Sequence, residues 1–148
     1  MTLILSSDDA PHFLTQLCDW FAQEWGELDP VNLRQSDLEG PSPLLAISEE
    51  GMLIGGLAFT IAPEPQSTTN AIWINALLVA QEHRRKGVAS KLIRAAEKAA
   101  ALKNITKLFV YTEYEALYTG CFWELLETKE GNSVLSKALE PRVQEEQL

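Results

Sequence analysis

Two hydrophobic periods alternate along this chain, and the places where one gives way to the other lay out its elements. Thr2 to Ser6 is a short apolar run that predicts a first strand. Ser7, Asp8 and Asp9 are good helix caps and Pro11 suits a first turn, so a helix is expected next. Phe13, Leu17, Trp20 and Phe21 lie on one face of it, and Gly26 marks its end. After Asp29-Pro30, Val31 to Leu38 predicts a second short helix, stopped by Gly40-Pro41-Ser42-Pro43. Leu44 to Ser48 and Met52 to Ile61 read as two strands joined by a short turn at Glu49-Glu50-Gly51. Gly55-Gly56 inside the second signals a bulge or a close approach of backbone. Residues 63–70, PEPQSTTN, form a polar loop.

The longest patterned stretch is residues 71–102. Ala71 to Ala80 is an apolar run broken only by Asn75, as expected of a mid-sheet strand covered on both faces. Val88, Leu92, Ala95, Ala96 and Ala99 then recur at helical spacing while Lys91, Arg94, Glu97 and Lys98 fall elsewhere, which predicts an amphipathic helix packed on the sheet. Lys107 to Thr112 predicts a strand parallel to the central one through a right-handed crossover. A short helix from Glu113 to Thr119, a strand from Phe122 to Thr128, a hairpin turn at Glu130-Gly131-Asn132 and a last strand from Val134 to Leu139 follow. The sum is an α/β (α+β) chain, a mixed central sheet of about seven strands flanked by about four helices, with residues 141–148 as a frayed polar tail.

Composition excludes several function classes. At 148 residues the chain suits one domain, 1–148. A net charge of −9 argues against nucleic acid as the main partner; an acidic surface favours a cationic acceptor or serves solubility alone. Cys18, Cys121, His12 and His83 make neither a disulfide framework nor a metal site at recognisable spacing. The start, MTLILSSDDA, lacks the features of a signal peptide, and no segment approaches the roughly 20 apolar residues of a membrane span. A cytoplasmic protein without a membrane partner is expected.

Against that acidic background Arg84-Arg85-Lys86 stands out, because it sits where the long helix begins. Positive side chains there oppose the helix macrodipole, whose N-terminal end carries about half a positive charge. The arrangement makes sense if an anion, phosphate above all, docks on the open N–H groups of the first turn, with Gly87 and Ala89 keeping side chains clear. The plainer alternative is a solvated basic turn. Neither the nucleotide loop G-x-x-x-x-G-K-[ST] nor the dinucleotide fingerprint G-x-G-x-x-G is present.

What is present, Arg84-Arg85-Lys86-Gly87-Val88-Ala89 directly after the strand ending Leu77-Leu78-Val79, resembles the acyl-CoA motif [RQ]-x-x-G-x-[GA] of the GCN5-related N-acetyltransferases. CDWFAQEWGELDP, VYTEYEALY and FWELLETKEG extend the resemblance over most of the chain. It implies a single N-acetyltransferase domain that moves the acetyl group of acetyl-CoA, without a metal, to a primary amine of a small molecule, peptide or protein, by direct attack in a ternary complex. It also implies that Leu77, Leu78 and Val79 meet the pantetheine arm through parted backbone. Arg84, Arg85, Lys86, Gly87, Val88, Ala89 and Ser90 would hold the pyrophosphate, and Tyr118 would protonate the departing thiolate. Glu24, Trp25 and Glu27, near the end of the first helix, would belong to a wall of the acceptor site. Three positions depart from the family's pattern: Glu113-Tyr114 stands where Asn is common, Phe122-Trp123 where Gly and an aromatic are usual, and Asn75 where some members carry a carboxylate.

The chemistry has its own requirements. Attack on a thioester develops an oxyanion that a preorganised N–H stabilises. A thiolate leaves better when protonated, and a tyrosine hydroxyl is a suitable acid at neutral pH. The acceptor must arrive as free amine, for which Glu24, Glu113 and Glu115 are candidate bases. Taken alone, Tyr118, Trp20, Trp25 and Trp73 fit a core as well as a site, Asn75 fits backbone satisfaction as well as substrate contact, and Cys121 reads as a small buried hydrophobe. An acyl-CoA sensor or interaction module without turnover is the other function class. An exposed final strand would offer a second copy an edge to pair with, giving a homodimer.

Overall fold

The computed structural model describes residues 2–26, 34–35 and 38–140. In chain order its elements are β1 (Leu3–Ser6), α1 (His12–Trp25), β2 (Arg34–Gln35), β3 (Leu38–Glu39), β4 (Leu44–Ile47), β5 (Leu53–Pro63), β6 (Asn70–Val79), α2 (Val88–Leu102), β7 (Lys107–Thr112), α3 (Glu115–Thr119), β8 (Glu124–Lys129) and β9 (Asn132–Ala138). Seven strands form one sheet in the order β1-β4-β5-β6-β7-β9-β8, antiparallel throughout except for the parallel pair β6 and β7. That parallel pair is joined by α2, as the apolar run at 71–80 and the helical face after Gly87 predict.

The helices take opposite faces. Val88, Leu92, Ile93, Ala96 and Ala100 of α2 pack with Leu57, Phe59, Ile72, Ile74, Leu108 and Leu135, and Tyr118, Cys121 and Trp123 join this core from α3 and the turn after it. Leu17 and Phe21 of α1 pack on the other face against Leu45, Leu53, Ala58 and Ala76, with Phe13 and Trp20 half-buried at the margin. The pair Gly55-Gly56 marks close approach. A Cβ on Gly56 would strike the Leu17 side chain, and one on Gly55 would lie 2.8 Å from the Leu78 carbonyl oxygen.

Three expectations are corrected. Among the described residues none of Ser7, Asp8 and Asp9 caps α1, whose N-cap is Pro11. Asp8 instead accepts a hydrogen bond from Ser42 Oγ at 2.9 Å, because the segment after β1 stays beside the residues that lead into β4, with Ser7 N donating to Pro43 O at 2.8 Å. The helix expected over 31–38 is not what forms at 34–35 and 38–39. These residues pair as an antiparallel ladder, Arg34 with Glu39 and Gln35 with Leu38; the rest of that stretch, the tail from 141 and Glu27 lie outside the described residues. Finally, β9 is not an edge. It inserts between β7 and β8, and all six residues of β8, the true edge, are exposed. The hairpin turn at Glu130-Gly131 leaves either strand free to take the inner place. Apolar Val134 and Leu135 against the charged ELLETK decide for β9.

Candidate active site

The sheet opens at β6. Residues 72–74 pair with 108–110 of β7, and beyond Ile74 and Val110 the two strands part. On its other side β6 keeps its partner, pairing with β5 as far as Val79 and Gly55. Along the way it carries a bulge: Ala76 faces Ala58 and Ile74 faces Phe59, so Asn75 is an extra residue. The bulge changes which side chains face which layer. Ile72 and Ile74 pack toward α2 before it, and Leu77 and Val79 do so after it, while Ala76 and Leu78 turn to the α1 side. Asn75 is thereby exposed rather than buried with its strand.

A cleft of about 860 Å³ occupies the parting. Its floor is Ile74 to Val79, and one flank is the turn from His83 into the first residues of α2. That turn is shaped by two left-handed residues, Arg85 at φ 64° and Gly87 at φ 82°. Gly87 takes the conformation without strain, and nothing lies within 4 Å of where its Cβ would be. The first helical bond of α2 runs from Lys91 N to Gly87 O at 3.1 Å, which leaves the amides of Val88, Ala89 and Ser90 open. Arg84 Nε donates to the carbonyl of Val79 at 2.8 Å, tying the turn to the end of β6. Lys86 is exposed and does not line the cleft, whereas Leu77, Leu78, Val79, Arg84, Arg85, Gly87, Val88, Ala89 and Ser90 all do.

The other flank comes from α3. Tyr118 is 2% exposed and lines the cleft. Among the described residues no buried side-chain nitrogen or oxygen lacks a hydrogen-bond partner, and none hydrogen-bonds the Tyr118 hydroxyl, so that hydroxyl opens onto the cleft. Burial, and secondarily the neighbouring Cys121 thiol, push its pKa well above the usual tyrosine range. It is a proton donor and not a base. The turn that follows closes α3 as a Schellman motif: Phe122 N donates to Thr119 O at 3.0 Å and Trp123 N to Tyr118 O at 3.0 Å. The Tyr118 and Trp123 rings meet edge to face at 5.1 Å. Phe122 holds the left-handed position at φ 69° where a glycine is usual, so the bend is made without the glycine.

Glu24, Trp25 and Asn75 line the cleft from α1 and β6, and Glu113 and Tyr114 from the end of β7. Glu115 does not; it accepts a hydrogen bond from Ser133 Oγ at 2.9 Å and ties α3 to β9. Trp73 points elsewhere, stacking on Phe109 at 5.1 Å and donating from Nε1 to Ala62 O at 3.1 Å. Sequence reasoning assigned no role to Tyr114 or Asn132, which also line the cleft. It also missed a clamp behind Tyr118. Trp123 Nε1 donates to Glu97 Oε2 at 2.9 Å, Lys137 Nζ lies 3.4 Å from Glu97 Oε1, and Lys137 Nζ donates to Cys121 O at 2.8 Å. No spacing links α2, the turn and β9, so no signal in the sequence would have found it.

A mixed seven-stranded sheet that parts beside a helix with open amides defines the class of the acyltransferase fold. The chain matches the Acetyltransferase (GNAT) family over residues 11–119, and it belongs to that family. Its fold is shared by Arabidopsis thaliana NAA60 in complex with acetyl-CoA (TM-score 0.66, 12% identity, covering 94% of this chain and 100% of that one). A GNAT-family acetyltransferase from Staphylococcus aureus Mu50 is similar at TM-score 0.66 and 13% identity, covering 95% of this chain and 100% of its own. An IAA acetyltransferase from Bacillus cereus ATCC 14579 is similar at TM-score 0.61 and 19% identity, covering 94% and 100%. No curated protein sequence matches the chain.

Proposed function

We propose that this chain transfers the acetyl group of acetyl-CoA to a primary amine. The observation that carries the reading is the hydroxyl of the buried Tyr118 side chain, which has no hydrogen-bond partner among the described residues and opens onto a cleft whose opposite flank is open amides and cations. The residues fit the donor. The Val88, Ala89 and Ser90 amides with Arg84 and Arg85 suit a pyrophosphate. The β7-facing backbone of Asn75 to Val79, having no strand partner, suits an amide-bearing arm and an oxyanion.

Acetyl-CoA would supply an activated acetyl group: its C–S bond breaks as a C–N bond forms, the amine loses a proton and the sulfur gains one. Tyr118 holds that last proton at its hydroxyl, and its raised pKa keeps it there across physiological pH. The amine's own proton leaves to water or to a carboxylate of the cleft.

Tyr118→Phe tests the reading. It removes one oxygen and keeps the ring against Trp123. Acceptor-dependent thiol release should fall by about 10²- to 10⁴-fold, with acetyl-CoA binding in calorimetry unchanged. A fall of less than about fivefold on a similar scale of effect would remove Tyr118 from the chemistry. Acetyl-CoA binding by the wild type with no thiol release on any amine would make the chain a binding module.

A further inference from the structure

The charges that line the cleft are sorted by flank. The cations Arg84 and Arg85 come from the one segment that joins β6 to α2. Glu24 comes from the last turn of α1 and Glu113 from the residue after β7. Two aromatic side chains stand beside these carboxylates, Trp25 at 49% exposed and Tyr114 at 65%. Trp25 meets the Phe21 ring at 5.8 Å on one side and leaves half of its surface to the cleft, and exposed aromatic faces attract cations. The carboxylates belong to one mouth. Tyr114 has its pKa raised first by its hydrogen bond to Glu113, then by the Glu113 charge and by burial; the Arg84 charge opposes the rise and the Glu24 charge adds the smallest part to it. Arg84, tied by its Nε to Val79 O, stands at the edge of that mouth, where the donor's pyrophosphate would take up its charge. Within the same cleft the Tyr118 hydroxyl, which bonds to none of the described residues, marks where the reacting groups would meet.

We infer that the acceptor carries a second positive charge besides the amine that is acetylated, held between Glu24 and Glu113 against the faces of Trp25 and Tyr114. This rests on the acetyltransferase reading and narrows it. A diamine, or a peptide with a basic residue beside its free amine, has the required chemistry; a neutral amine lacks the contact, and an acidic one is repelled. The carboxylates are exposed, so each is worth a few-fold, and two of them with two aromatic faces give a preference on the order of tenfold.

The test uses three amines alike in length, 1,4-diaminobutane, n-butylamine and 4-aminobutanoate, and three tripeptides presenting Lys, norleucine or Glu beside the free amine. Thiol release is followed at low and high salt. The expected order of kcat/KM in whichever series turns over is cationic above neutral above acidic, with the spread shrinking at high salt. In Glu24→Gln combined with Glu113→Gln the cationic preference collapses toward one. Equal rates across the three charges, or a preference untouched by the double substitution, overturn this inference and leave the acetyltransferase reading standing. Silence on every amine, with acetyl-CoA still bound, overturns both, and so separates the two failures.

Discussion

Phe122 is where this chain departs most visibly from its family's pattern, and the departure has a measurable cost. Phe122 sits at φ 69°, at the position just past the end of α3 that glycine usually takes, and its ring is 84% exposed. A left-handed conformation costs an L-residue about 1–2 kcal/mol. Glycine removes that strain but adds about 0.5–1 kcal/mol of unfolded-chain entropy. The ring gives little in return: Lys137 Nζ lies 5.9 Å from its centroid, worth about 0.5 kcal/mol at an exposed site. Phe122→Gly should therefore be neutral to about 1 kcal/mol stabilising. Phe122→Ala loses the ring and keeps the strain, so it should be slightly destabilising.

The informative quantity is the difference between the two variants, in which the lost ring cancels. Glycine should exceed alanine by about 1 kcal/mol, or roughly 2–4 °C in Tm for a chain of this size. Thermal unfolding followed by circular dichroism resolves that. Turnover should stay within about twofold in both, because the Tyr118 carbonyl keeps its bonds from Cys121 N and Trp123 N whichever residue makes the bend. An alanine variant as stable as the glycine variant would refute the strain argument. Stability rising as expected while kcat collapses would show that the exposed ring itself serves the reaction.

Two further outcomes follow from the surroundings of Tyr118. Lys137→Met removes a charge-assisted bond to Cys121 O and the partner of Glu97, at side-chain exposures of 22% and 19%; urea titration should show a loss of about 1–2 kcal/mol. With the turn loosened, kcat should fall about tenfold while KM for acetyl-CoA holds, since misplacing a reacting group is costly and the donor flank is untouched. Because folding raises the Tyr118 pKa, the native state keeps a proton that the unfolded state loses above the ordinary tyrosine value of 10.0. That contribution to stability is complete below pH 10 and falls by about 1.4 kcal/mol per pH unit as pH rises further. Tyr118→Phe should flatten the fall between pH 10 and 11, and identical slopes in the two proteins would show that the hydroxyl is not buried as described.

Much of this architecture was legible because it is written in local pattern. The helical face of α2, the apolar run of β6, the glycine that starts the phosphate-type turn and the hairpin at Glu130-Gly131 are all decided within a few residues of themselves. What escaped depends on partners distant in sequence. The bulge at Asn75 exists only relative to β5, so the run Ala71 to Ala80 reads as one uniform strand. The place of β9 inside β8 is a choice between two strands of one hairpin. The Glu97 and Lys137 clamp joins residues 40 positions apart by numbering, and charges at that separation look like ordinary surface. Glu115, one residue beyond the cleft-lining pair Glu113-Tyr114, could be told from Glu113 only once Ser133 was seen to hold it.

The bulge is also what lets one strand serve two purposes. From Ile72 to Ile74, β6 is an interior strand, paired with β5 on one side and β7 on the other, with Ile72 and Ile74 buried and Trp73 half-buried. Beyond Ile74 the strand must stay on β5 while giving up β7, and the extra residue at Asn75 supplies the local twist that parts them. Gly55 secures the retained side: with 2.8 Å between its missing Cβ and the Leu78 carbonyl, no larger residue would let β5 stay that close. Arg84 then takes the last carbonyl of β6, at Val79, and the chain turns directly into the open amides of α2. The unpaired backbone edge and the anion-seeking helix terminus are thus consecutive in the chain, held in register by contacts that the rest of the sheet provides. A cleft assembled this way needs few dedicated side chains on its donor flank. The six residues of the motif are contiguous and so legible in the sequence, while the flank lined by Glu24, Trp25, Glu113 and Tyr114 comes from separate elements and carries the individuality of this member of the family.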